Sequence, residues 1–140
     1  MTDPGRLADS PVSTRAKLAA LWAATMFCYI YADFFALFQK GRLDTMNAGQ
    51  IGPLGEATNP VMLGVSVMMA VPSLMVALTL LLPVQIARWA NGVWGLAFAA
   101  IQALSASGAD SWSYLFFTAV EVPLTLAIAA LAWRWPRSAA

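Results

Sequence analysis

Asp33 and Glu121 lie inside apolar stretches at opposite ends of the chain, where a charge at the bilayer centre costs at least ~2.5 kcal/mol to insert. Residues three and four apart on a helix share a face. Thr25, Tyr29 and Asp33 therefore form one polar stripe, and Tyr114, Thr118, Glu121 and Thr125 form another. Two further stretches offer Ser66 with Ser73, and Arg88 with Asn91 and Gln102. A pair of carboxyls beside a phenol can hold a proton, hold a cation or polar solute, or join a hydrogen-bond network. Desolvation and mutual repulsion disfavour their double ionisation, so a proton-sensitive pocket is one expectation. The alternative is a network that only holds helices together, each bond contributing ~0.6 kcal/mol on average.

Most enzyme constellations are excluded. The 140 residues contain no histidine, which removes the usual neutral-pH proton shuttle, the Ser-His and Cys-His pairs and His-containing zinc sites. The single cysteine, Cys28, sits mid-stretch and reads as a small buried hydrophobe, with no disulfide or cysteine metal set available. No cofactor, no metal and no catalytic residue is expected. Net charge is +1, and the eight Lys and Arg residues stand at the ends of the apolar stretches instead of clustering, so nucleic acid is not an expected partner.

The elements that position the acids follow from hydropathy. The chain is 60% hydrophobic and 11% charged, against about 25% charged in soluble domains. Lipid is the expected solvent. Leu18–Phe38 and Val61–Leu82 are 21- and 22-residue apolar runs, long enough to cross a bilayer core. Leu18–Phe38 also exceeds the 7–15 residues of a signal-peptide core and lacks a small-residue cleavage site. Pro83, Val84 and Gln85 punctuate the next stretch, so 86–106 forms a third, more polar span after a tight hairpin, and 112–133 a fourth. The expected fold is an all-α membrane protein, a four-helix transmembrane bundle running up-down-up-down. Residues 18–135 make one membrane domain, flanked by a disordered cytoplasmic tail over 1–17 and a second tail over 136–140.

Arg6, Arg15, Lys17, Arg88, Arg134 and Arg137 fall on one side of these spans, and Lys40 and Arg42 on the other. Six against two places both termini in the cytoplasm. With span centres near Cys28, Leu96 and Val122, Asp33 lies ~7 Å, Gln102 ~9 Å and Glu121 ~2 Å outward of the midplane. Asp33, Glu121 and Gln102 are therefore expected to meet Tyr29 and Ser66 in one pocket of the outer half, with Thr118 on the same stripe as Glu121. The loop over 39–60, rich in glycine, is either an ordinary connector or a cap over the bundle mouth. Pro72 and Pro123 each delete a backbone hydrogen bond near a span centre. Gly92, Gly95 and Ala99 mark close helix contact.

Three motifs, Tyr29-Ile30-Tyr31-Ala32-Asp33, Ala87-Arg88-Trp89-Ala90-Asn91 and Phe116-Phe117-Thr118-Ala119-Val120-Glu121, with Ala132-Trp133-Arg134-Trp135 near the end, carry a resemblance. Over about Leu18–Trp135 the chain resembles an uncharacterised bacterial family of small four-span integral membrane proteins, a domain of unknown function. The resemblance implies a four-helix protein of the bacterial plasma membrane and no activity. It departs at Ala70, where the family pattern carries a glutamate before the proline, so an acid triad is here a pair. The expected function is a small transporter-like protein with a buried acidic pocket, for which four helices require a homo-oligomer to enclose a path. The alternative is a non-catalytic module that binds a lipid-like ligand or a partner membrane protein. An intramembrane acid-base enzyme ranks last, for want of a nucleophile, metal set or cofactor fingerprint.

Overall fold

In the computed structural model, which describes residues 10–109 and 111–136, four long helices and one short one are joined by turns and a single long loop. α1 spans Thr14–Ala36, α2 Arg42–Asn47, α3 Asn59–Leu81, α4 Val84–Ala106 and α5 Trp112–Trp133. Three of them, α1, α3 and α5, are long and apolar enough to cross a membrane, which makes the chain a multi-pass membrane protein. α4 is equally long but carries Gln85, Arg88, Asn91 and Gln102.

Local chemistry sets the ends. Ser13 caps α1, its hydroxyl accepting from the Ala16 N–H at 3.2 Å, so the polar turn Thr14–Lys17 is helical and not part of a disordered tail. Residues 1–9 and 137–140, the rest of the expected tails, lie outside the described residues. At its other end α1 stops at Ala36, two residues before the apolar run does. α3 begins two residues ahead of its run, with Pro60 in its first turn, where a missing N–H is harmless. Extended Leu82 and Pro83 make the hairpin into α4. Pro72 and Pro123 both sit inside continuous helices.

The long helices form a ring in which α1 packs on α3 and α5, and α4 on α3 and α5. Every adjacent pair runs antiparallel, as cross-contacts establish: Arg15 at the start of α1 reaches the end of α3, Arg88 at the start of α4 reaches the end of α5, and Phe35 stacks on Phe117. α4 and α5 are in close backbone contact at Gly95, where a Cβ would stand 2.9 Å from the Thr125 carbonyl oxygen and 3.0 Å from the Ala129 nitrogen. Glycine is required there by space.

The half of the ring away from the loop is packed solid. Leu18, Trp22, Met75, Phe98 and Ile128 form its apolar core, and a polar hub lies among them. The Trp22 indole donates to Asn91 Oδ1 at 2.7 Å, and Asn91 Nδ2 donates to Thr79 Oγ1 at 3.0 Å and to the Ala87 carbonyl at 2.7 Å. Trp22, Asn91 and Thr79 are wholly buried, so α1, α3 and α4 are fixed in register by donors that have no water to turn to. At the same end two arginines cap neighbouring helices. Arg15 donates to the carbonyls of Thr79, Leu80 and Leu82 at 2.8–3.1 Å, and Arg88 to Ala132 at 3.2 Å. Each cation meets the unpaired carbonyls and negative dipole end of an antiparallel partner.

Candidate functional site

Toward the loop the ring opens. In α3 only Pro72, Met75 and Thr79 are buried, all in its second half, and the space left beside its first half is a cavity of about 450 Å³. Tyr29 and Asp33, one turn apart on α1, line one wall; Phe98, Ile101 and Gln102 of α4 line another. Glu121 and Tyr114 project from α5, two turns apart, and Val65, Met68 and Met69 close the α3 side. Phe98 is also the floor. It lies edge-on to Trp22 with ring centroids 6.0 Å apart and tilted against Tyr29 at 6.3 Å, which joins the cavity to the packed core beneath.

The loop is the roof. α2 and the following turn contribute Arg42, Met46, Gln50 and Leu54 to the lining. Its shape is held by its own backbone: Ile51 N–H donates to the Gly55 carbonyl and Ala57 N–H to the Gly49 carbonyl, both at 2.7 Å. Gly49 and Gly55 take φ of +71° and +77°, which L side chains rarely adopt. The expected alternatives for this loop thus resolve to the cap.

Of the residues singled out from sequence, Asp33, Glu121, Tyr29 and Gln102 all face this one cavity. Asp33 is exposed, whereas Glu121 is buried. Ser66 does not join them: it is exposed, and its hydroxyl donates to the Met62 carbonyl one turn back at 2.8 Å. Its placement in the pocket was incorrect because α3 turns Val65, Met68 and Met69 inward, and residue 66 is rotated off that face. Thr118, a member of the α5 stripe, is buried but does not line the cavity. Ala70 is exposed and outside the wall.

Buried polar atoms are nearly always paired. Among the described residues three are not: Tyr29 Oη, Thr118 Oγ1 and Glu121 Oε1. Two threonines of the stripes are satisfied within their helices, Thr25 donating to the Leu21 carbonyl and Thr125 to that of Glu121, each at 2.9 Å. Unpaired capacity is therefore concentrated at Tyr29 and Glu121 on the cavity wall. Among the described residues no three His, Cys, Asp or Glu side chains gather to hold a metal ion. Sequence reasoning passed over Arg42, Gln50 and the three methionines of the lining; Tyr114 was legible as a member of the Glu121 stripe.

Comparison with known proteins adds a family but no chemistry. Residues 11–140, nearly the whole chain, match a family described as "Family of unknown function (DUF6326)". No curated protein matches the chain, and no solved structure does. The chain belongs to the DUF6326 family.

Proposed function

We propose that this protein is a non-enzymatic binding module of the bacterial plasma membrane, with four spans and both termini cytoplasmic, whose cavity takes a small molecule from the exoplasmic side. The observation that carries the reading is a cavity between the Phe98 floor and the loop, lined by two residues with buried, unpartnered polar atoms, Tyr29 Oη and Glu121 Oε1. Its volume, about 450 Å³, falls within the range of roughly 300–1,000 Å³ typical of small-molecule sites. α4, though more polar than the other long helices, supports a fourth crossing: its Asn91 is consumed by the hub, and Arg88 lies near its end, bonded to the α5 terminus. The basic cluster of Arg15, Lys17, Arg88 and Arg134 at the end opposite the loop supports the orientation.

Transport of a proton or solute through the acid pair needs a second opening. Beneath Phe98 the ring is filled by Trp22, Met75, Ile128 and the hub, so binding is the better supported reading. All four long helices of one chain contribute residues to the cavity wall.

The test is calorimetric titration of the purified protein in lipid nanodiscs with three probes sharing one body: 4-phenylbutylamine, 4-phenylbutanol and 4-phenylbutyrate. Saturable 1:1 binding of at least one probe is expected, abolished by Ile101→Trp, which fills the cavity. Reconstituted liposomes should show no pH-gradient-driven flux of that probe. Failure of every probe to bind, or equal binding by Ile101→Trp, would refute the site; flux lost in Asp33→Asn and Glu121→Gln would reinstate transport.

A further inference from the structure

The binding reading leaves the ligand's chemistry open, and the cavity wall carries enough to name it. Among the described residues that line it, Asp33 and Glu121 are the two acids and Arg42 is the one base. With all three ionised, which burial permits only beside a further cation, the wall is short of one positive charge. Glu121 is 3% exposed and Tyr29 4% exposed, and both present an oxygen that makes no hydrogen bond in the structure, with the Gln102 side chain beside the phenol. A carboxylate at that exposure is screened from bulk solvent and has no ion-pair partner among the described residues, and a buried charge is tolerated only when paired and hydrogen-bonded. A metal ion would need further ligands, and no set of three gathers among the described residues.

Around these oxygens the surface is apolar and soft. Met46, Met68 and Met69, with Ile101, line the body of the cavity; flexible thioethers adapt to varied shapes. Phe98 and Tyr114 add aromatic faces, which attract cations through the ring quadrupole. We propose, resting on the binding reading above, that the ligand is a protonated amine with an apolar body, its ammonium bridging the Glu121 carboxylate and the Tyr29 hydroxyl oxygen. The ammonium donates to both acceptors, supplies the missing charge, and leaves the body against the methionine wall. Two donors on one head satisfy both orphaned atoms at once, which a carboxylate or ether ligand cannot do. The roof over the cavity, with Arg42 in it, favours a free amine over the ammonium of a lipid headgroup.

The same three probes test the class. 4-Phenylbutylamine is expected to bind at least about tenfold more tightly than 4-phenylbutanol, the scale of a hydrogen bond to a charged group, and 4-phenylbutyrate more weakly still. Glu121→Gln should erase the preference for amine while retaining alcohol binding, and Tyr29→Phe should reduce it. Equal affinity of the parent protein for amine and alcohol would overturn the proposal while leaving the cavity a binding site, whereas no binding of any probe would remove both. The parent comparison needs no variant to fold. Amine affinity is expected to be equal in nanodiscs of phosphatidylcholine and of a phosphatidylcholine–phosphatidylethanolamine mixture; competition in the mixture would overturn the free-amine source in favour of the headgroup ammonium.

Discussion

Replacing Asn91 by alanine removes the acceptor of the Trp22 indole, bonded at 2.7 Å, and the partner of Thr79. Thr79 can turn its hydroxyl to a carbonyl of its own helix, as Thr25 and Thr125 already do. Trp22 cannot. Its N–H is wholly buried and would be left unpaired, a loss of about 1–3 kcal/mol. Trp22→Phe alone deletes the donor, and in the double variant Asn91→Ala/Trp22→Phe no orphan remains. The two losses should therefore be less than additive, with a coupling of about 1–1.7 kcal/mol, the upper part of the range measured between membrane helices. Unfolding of the parent, both single variants and the double variant by sodium dodecyl sulfate in mixed micelles, followed by far-ultraviolet circular dichroism, gives all four corners of the cycle. Additivity within ~0.5 kcal/mol would show that the hub does not couple α1 to α4 and would refute the reasoning.

Gly95→Ala should destabilise by about 1–3 kcal/mol in the same assay, because its Cβ meets the α5 backbone, whereas Gly64→Ala, with nothing within 4 Å, should have no packing penalty; equal losses would contradict the close contact. Ser13→Ala removes the α1 cap and should cost about 1 kcal/mol, read as a lower denaturation midpoint. Arg15→Gln, which withdraws the guanidinium from the end of α3, should also lower the midpoint, with Arg15→Lys restoring part of the loss because all three bonds run from one nitrogen, Nη1, whose place an ammonium can take. In a Cys28→Ser background, Ala57→Cys is expected to react with a membrane-impermeant maleimide in intact cells and Ser10→Cys only after permeabilisation; the opposite pattern would invert the proposed topology.

Tyr29, Asp33 and Glu121 were legible as inward-facing because helical spacing places them on stripes, and a polar stripe in lipid has nowhere to turn but the bundle interior. Gly95 was legible for the same reason that Ser66 misled: residue size and polarity describe what a position tolerates, not how far a helix is rotated. The rotation of α3 is decided by contacts distant in sequence, Thr79 on Asn91 and Arg15 on the α3 end, and it carries Met68 and Met69 to the cavity and Ser66 away from it. Asn91 belongs to the same helix as Gln102, yet it lies in the opposite half, bonded to Trp22.

Composition alone made this a membrane protein, since a chain with so few charges cannot offer water a polar surface, and run length set the helices to within a few residues because a bilayer core admits about 20. The near neighbours of Asp33 and Glu121 along each helix followed from the 3.6-residue repeat. Tertiary structure decided the rest. It closed one half of the ring around a polar hub, held the other half open under the loop, and left Tyr29 and Glu121 there without partners. Those outcomes depend on how four helices turn and lean against one another, a balance of contacts between residues 12 to 69 positions apart, which no local pattern encodes.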